Sequence, residues 1–356
     1  MIISPTLKYS RQMTHFLLIS SNLSTLFNLY SNKLLTNLFL FSSILLNIFS
    51  PKKRIGVINL PNFQNVGNIL VKFAMFKKLE ELGFNATIIT QEKAYPQQKI
   101  DTSFINRTIN SHLLILPKDF YTLNEKDFDY LFVNSDQTWG YFNKNYFFDI
   151  AFLKFAENWK IKKFIYGASI GNDQWFYERN EEEVAKKLLK NFTNISFREK
   201  GTVKLAEEHL GIKSVFVLDP TLLIDKKYYL NEIKHYQTNF NYKENFIFVY
   251  QLFKNENIDK IIKKSSEKFN YNVYKIQLNA TDYIESFIFG VSNCKAVITD
   301  SYHGTLFSII FNKPFLSFIN KFRSKGRFDT LNELFHLNNR ILEFPGNQNI
   351  SINLLL

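Results

Sequence analysis

Residues 296–311, AVITDSYHGTLFSIIF, place Asp300, Ser301, Tyr302, His303, Gly304 and Thr305 between one apolar run and the next. A histidine at the start of a helix can donate to a phosphate or shuttle a proton; a capping role is the structural alternative. Arg198 stands in a similar place, after the apolar run of ISFREKG. Its guanidinium suits bidentate binding of carboxylate or phosphate, while an ion pair with Glu199 or another local acid is the plainer reading. VNSDQTW sets Ser135, Asp136 and Gln137 beside Trp139. A carboxylate, an amide and an aromatic ring together suit a sugar or nucleotide, with an Asx-turn as the alternative. In NVGN, Gly67 permits close backbone approach, and Asn68 either caps a helix or bonds a hydroxyl-rich ligand. YGASIG adds small residues, Ser169 among them.

These groups converge only if something positions them, and the chain supplies the pattern. Short apolar, β-branched and aromatic runs predict strands at 55–60, 86–90, 113–116, 130–134, 164–168, 195–197 and 215–218. A second series follows at 246–251, 272–277, 296–299 and 314–319. Continuous apolar runs of this kind are those of parallel strands covered on both faces. Amphipathic stretches alternate with them at 67–83, 181–192, 201–210, 258–269 and 305–311. In the first, Ile69, Phe73 and Phe76 share a face, and Lys77, Lys78, Glu80 and Glu81 mark a wet one. The alternation predicts a doubly wound α/β architecture, in which ligands sit beyond the carboxyl ends of the strands. Every motif above lies at such a strand-to-helix junction. The polar run 225–245 divides the series, giving an N-terminal hydrophobic extension (1–53), a first Rossmann-like domain (54–225) and a second (226–356).

Composition narrows the classes. With 46% hydrophobic and 17% aromatic residues the 356-residue chain can bury large cores, which excludes a disordered or disulfide-built protein. The 44 Lys and Arg against 32 Asp and Glu leave +12, but the lysines are scattered. No helix-turn-helix, zinc-finger or aromatic-basic signature accompanies them, so no nucleic-acid partner is expected. The single cysteine, Cys294, excludes an internal disulfide and reads as core packing; the six histidines lack metal-binding spacing, and no metal is expected. Residues 34–50 are uncharged yet short for a membrane span and are followed by Lys52, Lys53 and Arg54. That pattern predicts either a peripheral contact with an anionic membrane face or a helix on the protein's own surface. No cleavage site of a secretory signal follows.

In order along the chain, Gly67-Asn68, Ser135-Asp136-Gln137-Thr138-Trp139, Ser196-Phe197-Arg198-Glu199, Asp219-Pro220-Thr221 and Asp300-Ser301-Tyr302-His303-Gly304 form a set. The set resembles the polysaccharide pyruvyl transferase family over roughly residues 54–340. Asn134, Gly140 and Val71 depart from its usual Gly, Asn and Gln. The resemblance implies a GT-B-like pair of Rossmann-like domains with the site in the cleft between them. It implies transfer of the pyruvyl unit of phosphoenolpyruvate onto two hydroxyls of a sugar, giving a ketal on a cell-surface glycan or its lipid-linked precursor, at the cytoplasmic face and without a cofactor. On that footing Arg198 meets the phosphate or carboxylate, and His303 binds phosphate or acts as acid, helped by the N–H groups of Gly304 and Thr305. Asn68, Asp136 and Gln137 orient the acceptor, with Gly67, Ser135, Ser169 and Ser301 lining the site. Asp300 would fix the tautomer of an imidazole, and Arg327 is a secondary anion-binding residue. The alternatives are a nucleotide-sugar glycosyltransferase, for which Glu333 is the candidate ribose ligand, and a non-catalytic glycan-binding relative.

Overall fold

The computed structural model describes residues 53–62, 65–92, 102–171, 173–238, 244–277, 281–319, 321–337, 339–343 and 352–355. The expected N-terminal extension, with its membrane contact, lies outside them. A seven-stranded sheet runs in the order β3 (His112–Ile115), β2 (Asn85–Gln91), β1 (Arg54–Asn59), β4 (Tyr130–Val133), β5 (Lys162–Ala168), β6 (Asn194–Phe197), β7 (Val215–Phe216). A five-stranded sheet runs β12 (Ile341–Glu343), β11 (Phe315–Ile319), β10 (Ala296–Thr299), β8 (Phe246–Tyr250), β9 (Asn272–Lys275). Every ladder is parallel. The apolar runs predict this: every residue of β4, β8 and β10 is buried, because helices cover both faces. Strand order reverses between β1 and β4 in the first sheet and between β8 and β10 in the second, opening a crevice at each place.

The two sheets share one apolar mass. Helix α1 (Val66–Glu81) starts where Asn65 accepts the Gly67 N–H at 2.9 Å, and it is buried on nearly every side. It is wedged between its own sheet and two helices of the other half, α8 (Tyr283–Asn293) and α9 (Tyr302–Ile310). Val66, Ile69, Leu70 and Phe73 thereby join Tyr250, Phe287, Leu306 and Phe307 in one cluster. The wet face expected on α1 is reduced accordingly. Lys78 is buried and held to Glu81 at 2.8 Å, while Lys77 and Glu80 pair at 3.0 Å.

The polar run that divides the two series carries α6 (Lys226–Glu232). Its buried Tyr229 donates to the Thr221 carbonyl at 2.8 Å and sets its ring against Phe307, 4.9 Å between centroids. The remaining helices are α2 (Ser103–Thr108), α3 (Lys144–Ala151), α4 (Arg179–Leu189), α5 (Lys200–Leu210), α7 (Glu256–Phe269) and α10 (Lys321–Phe335). Among the described residues no helix is long and apolar enough to cross a membrane.

Candidate functional site

The carboxyl ends of the strands in the two sheets bring the expected residues together. Arg198 leaves β6 and Asp219 follows β7; Ser135 and Asp136 follow β4, Gly67 and Asn68 open α1, and His303 lies in the first turn of α9. The Arg198 side chain is 0% exposed. One Nη donates to Asp219 Oδ2 at 2.6 Å and, at 3.4 Å, to Ser135 Oγ; the other reaches Asp136 Oδ1 at 3.3 Å. Among the described residues its Nε has no hydrogen-bond partner. Burial works against both carboxylates, but the Arg198 charge outweighs it. Asp219, also touched by His303 and the Thr221 hydroxyl, is held far below the usual carboxylate range. Asp136 is lowered as well, by Arg198 first and then by His303, the Gln137 N–H and the Asn68 amide.

His303 is held by contact on both sides. A Cβ built on Gly67 would stand 1.8 Å from His303 Nδ1, so the glycine is where the imidazole of one half enters the backbone of the other. On the far side Nε2 stands 3.6 Å from Asp219 Oδ2, beyond hydrogen-bond distance. Close backbone approach is indeed Gly67's contribution, but the group approaching is His303. Next to it, Tyr302 offers its ring to two guanidiniums, Arg198 at 5.1 Å and Arg327 at 5.3 Å from the centroid. Burial, and then the charge of Arg198, lowers the pKa of Arg327.

Asp136 is the outward edge of this cluster, with 16% of its side chain exposed. Its backbone has φ 119°, a conformation costly for any residue with a Cβ, and it forms an isolated bridge with Ala168. Asn68 donates to Asp136 Oδ2 at 3.1 Å and accepts from Lys72 at 2.7 Å. Lys72 is buried, and its ammonium also reaches Asn62 Oδ1 at 2.8 Å. Desolvation pulls its pKa down to about 7, which the charge of Asp136 only partly opposes.

Several expected roles fall elsewhere. The Gly304 N–H is bonded to Ser301 Oγ at 3.3 Å and the Thr305 N–H to the Ser301 carbonyl at 3.0 Å. Ser301 is thus a helix cap, and those two amides are committed within the chain. Thr305 Oγ1 shares a 2.6 Å bond with Ser317, and Gly304 gives room to Thr299, whose Oγ1 would lie 2.2 Å from an added Cβ. Asp300 accepts from the Leu252 and Phe253 N–H groups at 2.6 and 2.9 Å, tying down the turn after β8; the carboxylate beside the imidazole is Asp219.

Glu199 turns away from Arg198 and accepts from Ser169 Oγ and, at 2.6 Å, from Thr202 Oγ1, so Ser169 is buried beneath the site. Trp139 packs in the core, 4.7 Å from the Phe152 ring and 4.9 Å from that of Phe197. Gln137 lies against Gly171, where an added Cβ would stand 2.3 Å from its Nε2. Lys72 is a functional candidate that reading the residues missed, and Asp219, though it stands in the motif set, was given no role of its own. The first sits mid-helix with no polar neighbour in sequence, and the second reads as an ordinary Asp-Pro turn.

With this geometry established, known proteins provide a comparison. The family model described as Polysaccharide pyruvyl transferase matches residues 65–321. No curated protein matches the chain. Among solved structures, the chain is similar to the Anabaena protein HepE in complex with UDP and glucose, with 11% identity, 85% of this chain and 89% of that one covered, and a TM-score of 0.50. It is also similar to the UDP-GlcNAc 2-epimerase of Methanocaldococcus jannaschii, at 15% identity over 85% of this chain and 90% of that one, TM-score 0.49. The E. coli ADP-heptose heptosyltransferase II gives 12% identity over 80% and 97%, TM-score 0.36. Likeness at such identity is one of fold: α/β, with two parallel, Rossmann-like sheets in a GT-B-like arrangement.

Proposed function

Because the chain belongs to the polysaccharide pyruvyl transferase family, we propose that it transfers the pyruvyl unit of phosphoenolpyruvate onto two hydroxyls of one sugar, forming a ketal. The observation that carries this reading is His303, held between Gly67 and Asp219 beside a buried Arg198–Asp136–Asp219 cluster where the two halves meet. The reaction asks for a proton at the methylene carbon and for stabilisation of the cation that this leaves at C2. His303 supplies the proton, and the nearby carboxylates meet the developing positive charge. One acceptor hydroxyl adds to C2; a second hydroxyl of the same sugar then replaces the phosphate there. Of the two hydroxyl protons, one ends in the new methyl group and the other leaves with phosphate.

Arg198 has both Nη groups on carboxylates, so it offers the donor only its Nε edge and otherwise orders Asp136 and Asp219. Arg327, which shares the Tyr302 ring, is the second cation beside the place of the anionic donor. The acceptor enters by the exposed edge of Asp136, next to Gln137. A lipid-linked saccharide at the cytoplasmic face of the membrane fits this chemistry.

The test is phosphate release from phosphoenolpyruvate with a panel of galactose, glucose and N-acetylmannosamine glycosides. Release that needs an acceptor and is lost in His303→Ala and Arg198→Ala supports the reading. No release with any acceptor, together with no rise in melting temperature on adding phosphoenolpyruvate, removes it. A rise with a nucleotide sugar instead would favour a glycosyltransferase. For that reaction Glu333 is poorly placed, since its side chain is 58% exposed and pairs with Lys200.

A further inference from the structure

Lys72 is a buried ammonium that the transfer chemistry does not use. It lies one helical turn beyond Asn68 on α1, and among the described residues no carboxylate pairs with it directly. Burying a cation on two neutral amides is unfavourable unless something is gained. Its hydrogen bonds suggest what that gain is. An ammonium only donates, so the oxygen of the Asn68 amide must face Lys72, and the NH2 must then face Asp136 Oδ2. The opposite orientation would set NH2 against ammonium and carbonyl against carboxylate.

We infer that Lys72 is a positioning residue for the transfer reaction: while protonated, its charge-assisted bond to the Asn68 oxygen steadies the amide whose NH2 holds the Asp136 carboxylate, and when it loses its proton that hold loosens. The inference rests on the reading under Proposed function, in which Asp136 stands at the acceptor edge. A neutral amine has lost the charge that strengthens its bond to the Asn68 oxygen, so the amide is held less firmly, while Asp136 remains an acceptor for its NH2. Desolvation brings the ammonium to about 7, so the change falls near neutrality. The ionisable groups facing Lys72 are Asp136, which favours its charge, and His112 on β3. Burial, with Lys72's charge second, lowers His112 to about 4, so the imidazole is neutral throughout the range in which Lys72 titrates.

The experiment follows the full-length protein across neutral pH with two readouts. The first is acceptor-dependent phosphate release. The second is the side-chain amide resonance of Asn68 in protein labelled with 15N-asparagine, assigned with Asn68→Ser. Expected are an Asn68 resonance that titrates near the Lys72 midpoint and a fall of kcat on the same limb. In Lys72→Met the titration disappears, and kcat drops on the order of tenfold at low pH with KM for the donor little changed. An Asn68 resonance that does not move with pH in the wild type overturns the inference without any variant. So does a Lys72→Met enzyme with wild-type kcat and pH profile. If no phosphate is released at all, the donor reading fails, and the Asn68 titration alone decides whether the hold exists.

Discussion

Gly67→Ala is the smallest change that should disable this site. The added methyl would stand 1.8 Å from His303 Nδ1 and 2.4 Å from Cγ and Cε1, whereas ordinary contact begins near 3.4 Å. The imidazole must therefore retreat by roughly 1.6 Å, or α1 and α9 must part by as much. Neither is easy, because Val66, Ile69 and Leu70 next to Gly67 are packed against the second half of the chain. Overpacking of this kind costs about 1–3 kcal/mol of stability. Displacing a proton donor by an ångström or more costs about a hundredfold in rate, or about 2.7 kcal/mol in the barrier. The assay is acceptor-dependent phosphate release, with thermal unfolding alongside. The double variant Gly67→Ala, His303→Ala should be no slower than His303→Ala alone, since the methyl acts through the ring that the second change removes. Wild-type kcat in Gly67→Ala, or full additivity in the double variant, would refute the contact as the reason for this glycine.

Asp219 and Asp136 both titrate below their unfolded values, so their contribution to stability is present above the ordinary carboxylate range and is lost as pH falls through the folded values. Asp219→Asn should lower stability by about 3 kcal/mol at neutral pH and by less in acid, as read from urea unfolding at the two pH values. Lys72 acts in the same direction in a higher pH window: its folded pKa of about 7 lies below the ordinary 10.5, so the unfolded chain binds the extra proton between them. Wild-type stability should therefore rise relative to Lys72→Met from neutral to alkaline pH, by on the order of a few kcal/mol. Burial raises the Cys294 thiol to about 12, so it should stay unreactive toward a thiol reagent until urea unfolds the chain. Glu333→Ala should leave acceptor-dependent phosphate release unchanged, because its side chain is 58% exposed and pairs with the half-exposed Lys200.

Eleven of the twelve strands, and the junctions that follow them, are legible along the chain. A parallel strand covered on both faces must be apolar without interruption, so YLFV, FIFVY and AVIT declare themselves as strands. Polar residues placed just after such runs stand out against them at the strand ends where ligands sit, which is why Arg198, Asp136 and His303 were visible. Helix α8 was not, because YIESFIFGVSN is buried on nearly all sides and shows no amphipathic period. The three-residue β12 was missed as well, being too short to carry a pattern. Tertiary structure alone decided which groups pair. Asp219 and Arg198 are 21 residues apart, and Gly67 is drawn against His303 from the other end of the chain. A fold brings such partners together through the packing of whole elements, here α1 against α8 and α9, and no local spacing encodes that distance. Read locally, Arg198 suits an anion and Glu199 is its nearest acid; the register of β6 with β5 and β7 turned one side chain to Asp219 and the other to Ser169.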